Sequence, residues 1–489
     1  MGRAWSIFHE RPKALVLGIV LAFALLGPHI SGQTSPILQP CGGESNGATS
    51  CPPGIPIGGP PWFGATPLMD GSTSTFWPPN GENSQIVTLY GSYGNSETGG
   101  AQSHHDQGIT QSSLIVPRDL NGNPSTNGAI VFLFIGFSNC DIEICGGNSD
   151  IWAGDSNQQH VYGQPCATTC PNPVFPNAQS PIPWNQPTQN GDTDIEQSFL
   201  YQVYSPSKPL VGPHVYIFDG AFGGQTLDKW DPTAIGYYST HICSFPNPFG
   251  PVIVPECNYY RVQSSLAANG FSENQVQAIF LKASDSAPQC DLSTQHCLTG
   301  VTEPDAFTGE RYMGDIMRFL RCCVGGSNSP RYPNLQQVFI SSRTYGGYPT
   351  DPNHNACSLN PEPYAYEEGF SVQRLIVAQI NGMSDGYSGD VHFNPNPTPG
   401  GAPWFDWGPY LWASADTPRS DGLVWCNGQT TGFCKGLRDV RYGDLFNQTM
   451  YWGDFTHPTY QGQGKVATLL VNFIQTSPWL TWILPPPPH

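Results

Sequence analysis

Two short segments more than three hundred residues apart carry the side chains that nucleophilic catalysis requires. The first, Gly136 to Asn139, follows an apolar run and contains Ser138; the second, Asp454 to Pro458, contains Asp454 and His457. A serine hydroxyl is a poor nucleophile until a base removes its proton, and imidazole is a better base when a carboxylate fixes its tautomer. Ser138 is therefore the candidate nucleophile, His457 the candidate base and Asp454 its orienting carboxylate.

The elements that must position these residues can be predicted from the spacing of apolar residues. Short runs rich in Val, Ile and Phe predict buried parallel strands at residues 129–135, 214–218, 276–281 and 337–340. Three stripes at helical spacing predict helices, namely Met313, Ile316, Met317 and Leu320; Val372, Leu375, Ile376 and Ile380; and Val466, Leu469, Leu470 and Phe473. Strands separated by helical connections pair in parallel, which predicts an α/β protein, a three-layer α/β/α sandwich with its site at the carboxyl ends of the strands.

Four blocks in this order resemble those of the SGNH (GDSL-like) hydrolases. They are Gly136 to Asn139, Gly223 to Thr226, Lys282 to Asp285, and the C-terminal Asp-x-x-His-Pro. The Gly-x-Ser-Asn form of the first block is similar to the carbohydrate O-acetylesterase branch. The resemblance covers roughly residues 129–476 and implies a flavodoxin-like fold, with a short parallel sheet between helices. It also implies long loop insertions, which we expect disulfides to cross-link.

The resemblance also implies a role for each matching residue. Ser138 becomes the nucleophile, His457 the general base and then acid, and Asp454 the carboxylate. The oxyanion hole is assigned to the backbone N–H groups of Ser138 and Gly224 and to the third block, where Ser284 stands in place of the family's asparagine. Loss of one oxyanion donor costs about 2.7 to 4 kcal/mol, so either Ser284 or another donor compensates, or the enzyme is slow.

Further residues are candidates for the substrate pocket or for a metal. Asn139, Arg343 and Tyr345 follow predicted strand ends and are expected to line the pocket, although a salt bridge and a turn would also explain Arg343 and Tyr345. The sequence His104-His105-Asp106 could bind a metal, but the polar, glycine-flanked stretch 99–108 favours an exposed loop. Aromatic residues at 403–412 could stack on sugars, and burial in the core is favoured over that role. No metal or cofactor is expected.

The N-terminus has the pattern of an export signal. Arg3, Arg11 and Lys13 precede or flank an apolar run at 14–26, and cleavage after Gly32 would give a secreted or periplasmic protein; an uncleaved N-terminal anchor is the alternative. Residues 1–32 are thus predicted to be a signal peptide. Residues 33–125 are predicted to be an irregular Pro/Gly-rich region packed on or linked to the catalytic domain at 126–480, and residues 481–489 form a Pro-rich tail.

Fifteen cysteines in an exported chain are expected to form mostly disulfides. Zinc is the rival interpretation, but paired Cys-x-x-Cys motifs are absent from the sequence. Proximity suggests Cys41 with Cys51, Cys140 with Cys145, Cys166 with Cys170, Cys243 with Cys257, Cys290 with Cys297, and Cys426 with Cys434. Cys322, Cys323 and Cys357 would then provide one bridge and one odd thiol.

The charge and the motifs together indicate a class of function. With 19 basic and 37 acidic residues, the chain is a poor partner for nucleic acid or anionic lipid, and neutral substrates such as sugars or their esters suit it better. We expect a secreted serine esterase that removes a short acyl group, acetyl first among them, from a carbohydrate or related small-molecule ester through an acyl-enzyme. The alternative is an inactive carbohydrate-binding protein on the same scaffold; a long-chain lipase would need an apolar lid that the sequence lacks. The sequence makes no prediction about oligomeric state.

Overall fold

Five parallel strands form the sheet at the centre of the protein. They are β1 (Ile130–Gly136), β2 (Val215–Asp219), β3 (Val276–Lys282), β4 (Gln337–Ile340) and β5 (Trp404–Trp407). Their order in the sheet is β2-β1-β3-β4-β5, and every neighbouring pair is parallel. This computed structural model describes residues 68, 99–145, 198–204, 210–221, 225–234, 257–285, 288–292, 297, 300–321, 330–344, 362–380, 386–396, 401–414, 417–426, 458 and 460–485.

Eight α-helices lie in the described ranges. They are α1 (Gly99–Ser113), α2 (Ser138–Cys145), α3 (Phe199–Val203), α4 (Leu227–Trp230), α5 (Cys257–Ala268), α6 (Asp305–Arg321), α7 (Tyr364–Ile380) and α8 (Tyr460–Thr476). The three helices predicted from apolar stripes are confirmed as α6, α7 and α8. Within the described ranges no helix is long and apolar enough to cross a bilayer.

The helices cover both faces of the sheet. Alternate residues of β1 point to opposite sides, so Val131, Leu133 and Ile135 belong to one apolar cluster while Phe132 and Phe134 belong to another. The first cluster includes side chains of α4, α5, α6 and α7, and the second includes side chains of α2, α3 and α8. Burial on both faces explains why the strands read as continuous apolar runs. The α/β class is confirmed.

The four predicted strands are confirmed to within one residue at each end, and β5 was missed. Trp404–Trp407 is short, and its Asp406 interrupts the apolar character by which a buried strand is recognised. Trp404 and Asp406 are nevertheless fully buried. The favoured interpretation of the aromatic segment as core is confirmed, because Tyr410, Leu411 and Trp412 are buried as well.

The prediction of an exposed loop at 99–108 was wrong, because these residues form most of α1. Nε2 of His104 donates to the carbonyl oxygen of Phe405 (3.1 Å), and the ring stacks on Trp404 with a centroid separation of 5.2 Å. This helix has no aliphatic stripe and is instead held on β5 by a histidine, which explains why apolar periodicity did not reveal it. Most of the predicted irregular region 33–125, the signal at 1–32 and the end of the tail lie outside the described residues.

Two of the predicted disulfide pairings can be checked directly. The Cys290–Cys297 bridge is present, which confirms that pair. Cys140 is a buried thiol, so its predicted pairing with Cys145 was wrong. Both residues lie in α2, and Cα atoms five residues apart in a helix are about 8.6 Å apart, beyond the reach of roughly 7 Å that a disulfide allows. Cys426 is disulfide-bonded, and the other members of the predicted pairs lie outside the residues whose side chains are described, as do Cys322, Cys323 and Cys357.

Candidate functional site

The strand order places a crevice at the carboxyl ends of β1 and β3. The chain runs from β1 outward to β2 and then crosses to β3 on the other side of β1, which is the topological switch point where α/β proteins bind ligands. The last residues of these strands, Gly136 and Lys282, are partners in the sheet. Ser138 and Ser284 each follow two residues later, so the first and third predicted blocks meet at this crevice.

Ser138 is the first residue of α2 and is partly exposed. The turn from strand to helix depends on Gly136. This residue has a φ of +152°, and a Cβ at its position would collide with the Lys282 carbonyl oxygen. The backbone N–H of Phe137 donates to that same oxygen (3.3 Å). The first N–H groups of a helix have no partner within the helix and carry partial positive charge. Ser138 is therefore a partly exposed residue whose backbone is suited to stabilise an anion.

Ser284 and Arg343 form one contact next to this turn. Ser284 is fully buried, and its hydroxyl accepts a hydrogen bond from Nη1 of Arg343 (3.2 Å) and donates to the carbonyl oxygen of Asp285 (3.3 Å). The Arg343 guanidinium also lies over the ring of Phe137, 5.4 Å from its centroid. Arg343, only 3% exposed, thus contacts both blocks from the end of β4. A buried cation therefore contacts Phe137, the residue that precedes the candidate nucleophile.

The structure describes half of the residues predicted for the site. Ser138, Ser284 and Arg343 are brought together, and Asn139 is buried in the first turn of α2. The other four, namely Gly224, Tyr345, Asp454 and His457, lie outside the described residues. Their roles remain predictions.

The direction of α8, which begins three residues after His457, can be determined from its two ends. Beyond its C-terminus, Trp479 packs on Trp404 with ring centroids 5.2 Å apart, and Nε1 of Trp482 donates to Oε1 of Gln337 (3.0 Å). Trp404 and Gln337 are the first residues of β5 and β4. The C-terminal end of α8 therefore lies at the amino edge of the sheet.

The other end of α8 lies at the carboxyl edge. Nζ of Lys465, in the second turn, donates to the carbonyl oxygen of Val424 (2.7 Å). The adjacent Trp425 donates from Nε1 to the carbonyl oxygen of Leu411 (2.9 Å), in the segment that follows β5. A helix of 17 residues is about 25 Å long, enough to run the full depth of the sheet. The start of α8 is thus on the same edge as Ser138.

A buried polar network beneath the crevice was missed by sequence reasoning. Nζ of Lys282, at the end of β3, pairs with Glu143 of α2 and also donates to the hydroxyl of Thr344. That hydroxyl donates to the second oxygen of Glu143 (2.6 Å), which closes the network. Burial lowers the pKa of Lys282, against the nearby charge of Glu143. A lysine at the end of a mostly apolar strand was the one signal in the sequence, and its partners come from distant segments.

A second group of polar side chains consists of carboxyls in α7 and around it. Burial raises the pKa of Glu362 to about 7 and that of Glu368 to about 8, and it raises the pKa of Glu367 well above its usual value. Burial and the charge of Asp285 raise the pKa of Asp305 to about 8. Desolvation disfavours the ionised form of each group. These acids therefore hold protons in the folded state that the unfolded chain releases at neutral pH.

Stability should consequently decrease as the pH rises. Because the folded-state pKa values exceed the unfolded ones, the unfolded chain binds fewer protons between about pH 4.5 and pH 8, and the free energy of unfolding falls across that window. Each unit of pKa difference contributes up to about 1.4 kcal/mol, so we expect a fall of several kcal/mol, measured by urea denaturation at both ends of the range. Glu368→Gln should flatten the dependence, and a stability that rises with pH over this window would contradict the account.

The described geometry thus unites a partly exposed serine at a helix start, a buried arginine and a second serine at the switch point of a parallel sheet. It contains the candidate nucleophile and a buried cation, and the helix that follows the predicted base begins on the same edge. Comparisons with protein-family models, with curated proteins and with solved structures found no match to this chain.

Proposed function

We propose that this protein is a serine esterase of the SGNH (GDSL-like) type, which hydrolyses short acyl esters, acetyl esters of carbohydrates in particular. The observation that carries the proposal is the position of Ser138, which is partly exposed at the start of α2 and next to the switch point. The strand order is also that of flavodoxin-like sheets, the fold that the resemblance implies. Turnover of p-nitrophenyl acetate tests the proposal, because a chain without an activated serine gives only background hydrolysis.

The reaction proceeds through an acyl-enzyme. His457 removes the proton of the Ser138 hydroxyl while Oγ attacks the ester carbonyl, and Asp454 steadies the imidazolium that forms. The tetrahedral intermediate collapses as His457 returns the proton to the departing alcohol. Water then attacks the acyl-enzyme with the same imidazole as base, which releases the acid and restores Ser138.

The direction of α8 supports the role of His457. This helix begins three residues beyond the histidine, runs from the carboxyl edge of the sheet to the amino edge, and packs against α2. Ser138 is the first residue of α2 at that same carboxyl edge. A short length of chain is enough to connect the start of α8 with a base beside Ser138.

Arg343 supplies the stabilisation that the missing asparagine would otherwise give. We assign the oxyanion to the backbone N–H groups of Ser138 and Gly224. The guanidinium of Arg343, bonded to Ser284 and lying over the ring of Phe137, provides positive charge beside the turn that precedes Ser138. In a buried setting such a charge acts strongly on the developing anion. Ser284 serves chiefly to orient this arginine.

We therefore expect Arg343→Met to lower kcat for p-nitrophenyl acetate by roughly 10²- to 10³-fold with little change in KM, because the charge acts mainly in the transition state. The matched variant Ser284→Ala should have a much smaller effect, since it leaves the charge in place. Circular dichroism of both variants checks that the fold is retained. The reverse ranking, with Ser284→Ala the more damaging change, would assign the oxyanion contact to the serine hydroxyl instead.

The alternative of an inactive carbohydrate-binding protein loses one of its two supports. It depended on Ser284 in place of the family's asparagine and on the Trp-rich residues 403–412 and 421–425. The indoles of Trp404, Trp412 and Trp425 are fully buried in the structure. Buried rings offer no face to a sugar. The esterase therefore remains the better proposal, in a protein that we expect to be secreted or periplasmic.

A further inference from the structure

An acidic pocket lies between α6, α7 and the segment that follows β3. Its polar lining consists of Asp285, Asp305, Tyr364, Glu367, Glu368 and Ser371. The cavity has a volume of about 20 Å³, which is enough for one or two water molecules or groups of that size. Asp285 and Asp305 are partly exposed, whereas Glu367 and Glu368 are buried. The pocket is thus a small space with carboxyl groups at both its exposed and its buried sides.

Two of these carboxyls lack the hydrogen bonds that burial demands. Glu367 is 1% exposed; its Oε2 accepts from the backbone N–H of Leu292 (3.0 Å), but its Oε1 is buried without a hydrogen-bond partner. Glu368 is 6% exposed, and both its oxygens are buried without a partner of normal geometry. Burial opposes ionisation of Glu368, whereas the charge of Arg343 favours it. A buried oxygen without a hydrogen-bond partner costs free energy, and a ligand that donates a hydrogen bond to it removes that cost.

The charges around the pocket are strongly unbalanced. Burial and the charge of Asp285 raise the pKa of Asp305 to about 8, so these two acids do not readily ionise together at neutral pH. The groups that act on the two buried glutamates are mostly acidic, namely Asp285, Asp291, Asp305 and Glu362, with Arg343 and Lys282 as the cations. Lys282 is already paired with Glu143. An incoming cation would supply the missing charge and allow these acids to ionise.

The spacing of the acids favours an ammonium over a metal ion. Among the described residues, no group of three His, Cys, Asp or Glu side chains is spaced to hold a metal. Metal–oxygen bonds are about 2.0 to 2.6 Å long, whereas an ammonium nitrogen reaches carboxylate oxygens at about 2.7 to 2.9 Å and donates up to three hydrogen bonds. The ammonium head group is also close to water in size, as the cavity requires.

We propose that this acidic pocket binds the primary ammonium group of a small ligand, with Glu367 and Glu368 as the principal acceptors and Asp285 and Asp305 at the entrance. Binding draws protons from the acids, so that carboxylates face the cation and the released protons pass to solvent. The carboxyls of this site take no part in the hydrolytic chemistry proposed for Ser138, although the charge of Arg343 acts on Glu368 as well.

The test uses the full-length protein and methylammonium chloride as the probe. Methylammonium should raise the thermal unfolding midpoint near neutral pH by several degrees relative to tetramethylammonium chloride at equal ionic strength, because the larger ion cannot donate hydrogen bonds. Calorimetric titration in two buffers of different ionisation enthalpy should show proton release on binding. Glu368→Gln should weaken binding by roughly tenfold or more. The control Glu303→Gln, at an exposed pair with Arg311 outside the pocket, should bind as the wild type does.

The outcomes separate this proposal from the esterase. Ser138→Ala should bind methylammonium with unchanged affinity, so a failure of ester hydrolysis leaves the result intact. Equal midpoints in methylammonium and tetramethylammonium would overturn the proposal. A shift produced by calcium chloride and not by methylammonium would also overturn it, in favour of a metal site that rearranges on binding.

Discussion

Replacement of Ser138 by alanine should reduce turnover of p-nitrophenyl acetate by at least about 10⁴-fold, because the acyl-enzyme cannot form without the hydroxyl. The fold should survive, since the side chain is partly exposed and the change removes one oxygen. A matched control is Ser113→Ala, at the end of α1, where the hydroxyl donates to the carbonyl oxygen of Thr110. That variant should hydrolyse the ester at the wild-type rate.

The same prediction extends to the proposed base. Because nucleophile and base act as one unit, Ser138→Ala combined with His457→Ala should be no slower than either single variant. If the fold-losses in kcat of the two single variants multiply in the double variant, the two side chains contribute to separate steps. Full activity of Ser138→Ala would remove the esterase assignment to this serine altogether.

The second large effect concerns stability. Lys282→Met should lower the free energy of unfolding by about 3 to 5 kcal/mol, because it leaves the buried carboxylate of Glu143 without its cation. Only the bond from the Thr344 hydroxyl, 2.6 Å long, would remain of the network. Urea denaturation followed by fluorescence measures the change.

A double variant provides the control. Lys282→Met with Glu143→Leu removes both charges and should recover much of the lost stability, since apolar replacement of a buried pair is often neutral. If the double variant is as unstable as the sum of the two single variants, the side chains are not energetically coupled and the network is not what joins α2 to the sheet.

The sheet was largely predictable because its strands are buried on both faces. Apolar runs such as residues 129–135 and 276–281 have no other good explanation at that length, and each matches a strand to within one residue. β5 was missed because an acidic residue interrupts its three aromatic residues. α1 was missed because hydrogen bonds to distant segments, such as that of His104 to Phe405 and that of Gln337 to Gly108, secure it in place of an aliphatic stripe. Local pattern fails where a contact with a distant segment decides the structure.

The candidate site shows the same division. Ser138 and Ser284 could be predicted to meet because parallel strands end at one edge. The network of Lys282, Glu143 and Thr344 joins three segments that no spacing rule connects. The only indication of it in the sequence was a lysine at the end of a buried strand. The pairing of Cys140 with Cys145 failed because closeness along the chain ignores the geometry of the helix they share.

Labelling by a fluorophosphonate, with the modified residue located by mass spectrometry, tests the central claim most directly. A serine activated by an imidazole reacts at its Oγ, so the adduct should be found on Ser138 and should disappear in His457→Ala. An adduct on a different residue, or no adduct on protein that hydrolyses p-nitrophenyl acetate, would contradict the account.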